Sequence, residues 1–157
     1  LKLHDIPNTV ANSVRKISNF NVALTTIHLN GGKDMIEAAS SEKGNIKILG
    51  VSILTSLSEN DIFEITNTEF DAYFNNLISI ASNTNVDGVV CSPNELDKLK
   101  NFNKLKVVPG IRNGISDDDQ KRVMSPMEAY RKGADFIVVG RPITKSEDPR
   151  KALELFL

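Results

Sequence analysis

Five short runs in this 157-residue chain are apolar almost without interruption and rich in β-branched residues. They are VALTTIHL (22–29), IKILGVSIL (46–54), VDGVVC (86–91), LKVVPG (105–110) and DFIVVG (135–140). A strand with one wet face alternates apolar and polar residues, so runs of this kind predict parallel strands covered on both faces. Parallel neighbours need crossover connections, and segments at helical spacing fill the intervals, near 10–19, 33–43, 68–83, 93–101, 126–132 and 148–157. Counting the opening decapeptide LKLHDIPNTV, about six β/α units are present. Units of this type close as a (β/α)8 barrel or spread as a doubly wound sheet. A barrel typically takes about 250 residues. The expectation is therefore an α/β chain, one domain over 1–157, that supplies about the last six β/α units of a (β/α)8 TIM barrel from its third strand onward.

Local chemistry marks several helix starts. Ser92-Pro93-Asn94-Glu95 and Ser125-Pro126-Met127-Glu128 each place a Ser cap, a Pro at the first helical position and a Glu at the third. Asp148-Pro149 repeats the cap-then-Pro arrangement, and Gly133 after EAYRK reads as a helix terminator. No sharp internal repeat, low-complexity segment or linker interrupts the alternation.

Composition removes several function classes. A net charge of −1 with scattered basic residues gives no general attraction to nucleic acid or anionic membrane. The apolar runs fall well short of the roughly 20 residues a membrane span requires. Cys91 is the only cysteine, which excludes an internal disulfide framework and argues against a thiolate metal cluster. A reducing, cytoplasmic setting is expected.

Functional groups in parallel α/β folds gather at the C-terminal ends of the strands. In chain order those ends offer Lys2, His4 and Asp5, then His28, Thr55 and Ser56, Cys91 and Ser92, Arg112, and Gly140 with Arg141. VVPGIR sets Pro109 and Gly110 at a turn before Arg112, and VVGRPIT sets Gly140 and Arg141 one strand later. Loops after the last two barrel strands commonly hold phosphate, and a guanidinium offers paired donors to phosphate oxygens. Taken singly, these residues have plainer readings. Lys2 is a solvated strand-end lysine, His4 and His28 are hydrogen-bonded packing residues, and Cys91 is buried and inert. The NGG at 30–32 is a loop leading into a helix, and Asp117–Asp119 is a solvated acidic loop.

Read together, the motifs resemble those of the orotidine 5'-phosphate decarboxylase family. LKLHDIPNTV resembles the segment D-x-K-x-H-D-I-P-N-T, and IHLNGG, VSILTS, DGVVCSPNE, VVPGIR and VVGRPITKSEDP follow in the family's order. The resemblance implies a (β/α)8 barrel that converts orotidine 5'-phosphate to UMP in pyrimidine biosynthesis, with no metal or organic cofactor. It implies that Lys2 is the catalytic lysine, stabilising charge at C6 of the pyrimidine and then supplying the proton. Asp5 matches an aspartate that reaches into the neighbouring subunit's site, with Ile6 and Thr9 along the same shared edge, so a homodimer is implied. Thr55 matches a pyrimidine contact. Arg112, Gln120, Gly140 and Arg141 match the phosphate-binding set, and Pro109 joins the substrate-binding residues.

One departure accompanies the resemblance. The family's aspartate two positions before the lysine would lie just ahead of Leu1, as would two further strands bearing an aspartate and a lysine. The chain is accordingly expected to be an incomplete portion of the enzyme, inactive or nearly so by itself. The nearest rival is a sister enzyme, a metal-dependent keto-sugar-phosphate decarboxylase or hexulose-phosphate synthase. Ile6-Pro7-Asn8-Thr9, Gln120 and GRPIT favour the orotidine enzyme. A non-catalytic nucleotide-binding remnant is a third reading, and the Lys2–Asp5 pair argues against it.

Overall fold

A computed structural model describes residues 1–112 and 124–156. Among the described residues, six strands lie in one parallel sheet: β1 (Lys2–Leu3), β2 (Leu24–His28), β3 (Lys47–Val51), β4 (Gly88–Val90), β5 (Leu105–Val108) and β6 (Phe136–Ile137). Each strand pairs with the next in sequence, giving the order β1-β2-β3-β4-β5-β6. A doubly wound sheet would reverse direction at a switch point. The unbroken order is that of consecutive barrel strands, as expected.

Register separates the two faces. Lys2, Thr26, Leu49, Gly88 and Leu105 form one row across the sheet, and His28, Val51, Val90, Val107 and Phe136 form the row above it. Residues two apart share a face, so both rows point the same way. The alternate positions Ile27, Ile48, Val89 and Val108 belong to the main core. There they pack with α1 (Pro7–Ile17), α2 (Lys33–Ser41) and α4 (Phe70–Ser82), through Val10, Val14, Met35, Ile36, Phe74 and Leu77. Leu49, Val51 and Val107 are buried yet fall outside that cluster. They face the barrel interior, together with Lys2.

The strands are shorter than the apolar runs. The run 135–140 contributes only Phe136–Ile137, and 46–54 only Lys47–Val51. The opening stretch is strand only over Lys2–Leu3, and α1 begins at Pro7 because Pro fits the first helical position while Ile6 stays extended. The segment 93–101 forms a 3₁₀ helix over Pro93–Leu99. Two helices were not anticipated: α3 (Glu59–Thr66) and the four-residue α6 (Arg141–Thr144). Helix α3 starts on a capping box built with Asp61, whose carboxylate accepts the Ser58 N–H at 2.7 Å. The caps read from the sequence form as expected. Ser92 pairs reciprocally with Glu95, Ser125 accepts the Glu128 N–H at the start of α5 (Pro126–Arg131), and Asp148 accepts two N–H groups at the start of α7 (Pro149–Glu154). Gly133 ends α5 at φ +95°, and the Ala134 N–H reaches back to the Ala129 carbonyl at 3.0 Å.

At the strand starts a paired device recurs. Asp87, just ahead of β4, accepts the Ile48 N–H at 2.8 Å through its carboxylate, while its own N–H donates to the Ile48 carbonyl at 2.8 Å. Asp135, just ahead of β6, accepts the Lys106 N–H at 2.7 Å and donates its N–H to the Lys106 carbonyl at 2.9 Å. Each aspartate thus clips its strand to the preceding one, and Asp87 also binds the Lys43 ammonium at 2.7 Å.

Candidate active site

At the opposite end, where strands finish, lies a cavity of about 260 Å³. Val51 and Val90 supply its apolar wall, and Lys2, Thr55, Ser56 and Pro109 line it from three separate stretches of chain. Parallel strands make this convergence possible, since every β/α turn empties at the same end of the sheet. Thr55 and Ser56 stand in the turn after β3, which the Leu57 N–H closes on the Leu54 carbonyl at 3.0 Å. Pro109 directly follows β5. Cys91 also reaches the cavity wall but is buried at 1% exposure, in keeping with a packing role.

Two imidazoles pack together near the lysine. The His4 and His28 ring centroids are 5.4 Å apart. Burial chiefly, then the charges of His4 and Lys2, lower the His28 pKa from its ordinary 6.5, so the ring is held neutral. An ammonium beside an uncharged ring in a half-apolar cavity can stabilise negative charge developing on a bound molecule.

The other anticipated residues divide into two groups. Asp5, Ile6 and Thr9 do not line the cavity; they lie exposed at the start of α1, with Ile6 67% exposed. Asp5 is outside β1, and its carboxylate accepts the Ile6 N–H at 2.7 Å. Lys2 stands on β1 and lines the cavity, whereas Asp5 lies past the strand end in exposed surroundings. Arg112 is buried at 7% exposure, its Nη1 donating to the Ile111 carbonyl at 2.8 Å and its backbone N–H to the Met124 carbonyl at 3.0 Å. Gly140 precedes α6, and a Cβ built there would meet no atom within 4 Å, so the backbone is open to close approach. Arg141 is half-buried as the first residue of α6. Arg112, Gly140 and Arg141 do not line the cavity that holds Lys2. Gln120 lies outside the described residues.

A larger hollow of about 610 Å³ opens at the strand starts between β4 and β6, bordered by Asp87, Lys104, Lys106 and Asp135. Its cations are already engaged: Lys104 Nζ donates to the Ala81 and Thr84 carbonyls at 2.8 and 2.6 Å, and Lys106 Nζ lies 3.8 Å from Asp135. It sits at the end of the sheet that carries stability, and we assign it no ligand. Among the described residues, no three His, Cys, Asp or Glu side chains are grouped to hold a metal ion, and no helix is long and apolar enough to cross a membrane.

The cavity-lining residues Val51, Ile53 and Val90 escaped the sequence reading, which took them only as buried strand residues. Val51 and Val90 fall on the Lys2 face once register is known, whereas Ile53 lies past the end of β3 and packs with the main core.

Comparison with known proteins agrees with this geometry. Residues 1–156 match the profile of the orotidine 5'-phosphate decarboxylase / HUMPS family. The orotidine 5'-phosphate decarboxylase of Aquifex aeolicus is 48% identical over 98% of this chain and 69% of its own length. That of Ehrlichia chaffeensis is 43% identical over 98% of this chain and 70% of its own length. The crystal structure of orotidine 5'-phosphate decarboxylase from Lactobacillus acidophilus superposes with a TM-score of 0.85 at 34% identity, covering 99% of this chain and 71% of that one. With its unbroken parallel strand order and a lysine at the mouth of the interior, this chain belongs to the orotidine 5'-phosphate decarboxylase / HUMPS family.

Proposed function

We propose that this protein decarboxylates orotidine 5'-phosphate to UMP, with Lys2 as the group that stabilises the departing electron pair and then protonates the carbon. One observation carries the reading: an ammonium, a hydroxyl and a proline turn, from three different strands' ends, share one small cavity. Loss of CO2 from an sp² ring carbon leaves a lone pair in the ring plane, which the π-system cannot absorb. A fixed cation beside that carbon stabilises the transition state more than the substrate, and this is what catalysis requires. Decarboxylation without an electron sink belongs toward the upper part of the roughly 8–23 kcal/mol that enzymes supply.

The remaining residues fit supporting tasks in this reading. Thr55, on the cavity wall, offers a hydroxyl to the pyrimidine edge. Arg112, Gly140 and Arg141 follow β5 and β6, and with Gln120 they are proposed to hold the phosphate, away from the reacting carbon. Binding energy gathered there orders the site without requiring phosphate chemistry. Asp5, Ile6 and Thr9 are exposed together at one edge, which supports a homodimer in which they complete the partner's site. A cytoplasmic setting accords with one buried free thiol.

The family profile also spans HUMPS proteins, so the metal-dependent sister reaction is the alternative. Incubation of the full-length protein with orotidine 5'-phosphate, followed by loss of its ultraviolet absorbance, tests the reading. Turnover unaffected by a chelator is expected. Turnover abolished by chelator points to the sister chemistry, and UMP binding without turnover points to a binding protein.

A further inference from the structure

Two imidazoles share the interior face with Lys2, and the proposed reaction gives neither a task. Lys2 is the register partner of Thr26, and His28 follows Thr26 by two positions on β2, so His28 leaves the sheet on the Lys2 side. His4 follows Lys2 by two, just past the end of β1. Their rings meet with centroids 5.4 Å apart and planes inclined at 35°, within the range of a favourable tilted contact. His4 is confined from another side, because a Cβ built on Gly31 would stand 3.2 Å from its Cδ2. The pair is therefore wedged among the exits of β1 and β2 and the Leu29–Gly31 turn.

Few charges face it. Asp5, next along the chain from His4, spends its carboxylate on the Ile6 N–H. The register partner of His28 on β3 is Val51, and the Leu29–Gly31 turn brings no ionisable side chain. Among the described residues, the charges that reach His28 are those of His4 and Lys2, and with burial they favour its neutral form.

We propose that His28, braced by His4, is a positioning residue for Lys2, an uncharged wall that fixes where the ammonium stands on the interior face. The inference rests on the reading of Lys2 as the catalytic cation. An aliphatic side chain at position 28 would offer the ammonium no lone pair, and a second cation would repel it from the reacting carbon. A neutral imidazole avoids both, and it becomes a repelling cation only in acid.

The test is an NMR titration of the protein labelled with ¹³C at lysine Cε, the Lys2 signal being assigned by its loss in Lys2→Arg. The Lys2 signal is expected to step with a midpoint below 6.5. His28→Gln removes the step, and His4→Gln moves the midpoint upward by removing one repelling partner. In turnover at neutral pH, His28→Gln lowers kcat about tenfold with KM changed less than about twofold, since a small misplacement of a reacting group costs rate more than binding. A Lys2 signal flat through this range, or a step that persists in His28→Gln, overturns the proposal. The His4→Gln arm decides it where His28→Gln fails to fold. Should the protein not decarboxylate orotidine 5'-phosphate at all, the function fails while the Lys2 signal still reports the coupling, so the two failures are read apart.

Discussion

Replacing Asp87 with alanine tests what holds the sheet together at its lower end. The carboxylate accepts the Ile48 N–H at 2.8 Å and the Lys43 ammonium at 2.7 Å, with the two side chains 25% and 24% exposed. Truncation leaves the Ile48 N–H without its side-chain acceptor in a part-buried place, at about 1–2 kcal/mol. Lys43 can turn toward water and keeps the Asn85 carbonyl at 3.3 Å, so loss of the ion pair adds only about 0.5–1 kcal/mol after solvent screening. The expected cost is about 2 kcal/mol, or a melting temperature lower by about 4–8 °C for a chain of this size. Asp87→Asn keeps an acceptor for Ile48 and should cost about half as much. Asp135→Ala provides the internal control: its carboxylate is 41% exposed and its lysine 3.8 Å away, so about 1 kcal/mol is expected. The measurement is urea denaturation of all three variants at pH 7, repeated in acid. Burial alone would raise the Asp87 carboxyl, but the Lys43 ammonium and the Ile48 N–H outweigh it and hold the pKa below 3.8. The charge-dependent stabilisation is therefore complete above the ordinary carboxylate range and fades as pH falls through the depressed value. This should shrink the gap between Asp87→Ala and the parent toward that between Asp87→Ala and Asp87→Asn, because the protonated carboxyl still offers Ile48 an acceptor. A loss under about 0.5 kcal/mol at pH 7, or a loss no larger than that of Asp135→Ala, would refute the reasoning.

Lys2→Ala in the full-length protein should abolish turnover while phosphate-dependent UMP binding largely survives; equal loss of both by calorimetry would mark the lysine as structural. Arg141→Ala should raise KM strongly with less effect on kcat, and an unchanged KM would show that the phosphate site lies elsewhere. Gly50→Ala places a Cβ 2.3 Å from Leu29 Cδ2, and overpacking there should cost about 1–3 kcal/mol in denaturant melts. Glu95→Ala removes the 2.7 Å acceptor of the Ser92 N–H inside the core, with an expected loss of about 2 kcal/mol; a value near zero would mean that the cap is satisfied otherwise.

The α/β class was legible because apolar runs covered on both faces leave little else to build, and the strand order then followed from consecutive crossovers. Strand ends were not legible. The runs 46–54 and 135–140 read as strand throughout, but how far a ladder extends depends on the register of another stretch of chain. Helix α3 was missed because its cap uses Asp61 in place of Glu and because it buries only Ile62. Lys2, Thr55 and Pro109 were named from sequence and meet in one cavity. Arg112 was also named, yet its burial depends on the Ile111–Met124 bridge, a contact that spans a dozen residues and leaves no local pattern. The aspartate clips were invisible for the same reason, since VDG and ADF look like ordinary strand starts.

The clips at Asp87 and Asp135 stand at one rim of the sheet, and Lys2 and Thr55 open onto the other. Substitutions that toughen the protein can thus be confined to one rim while chemistry is altered at the opposite one. A designer, or natural selection, has two nearly independent dials on a single scaffold.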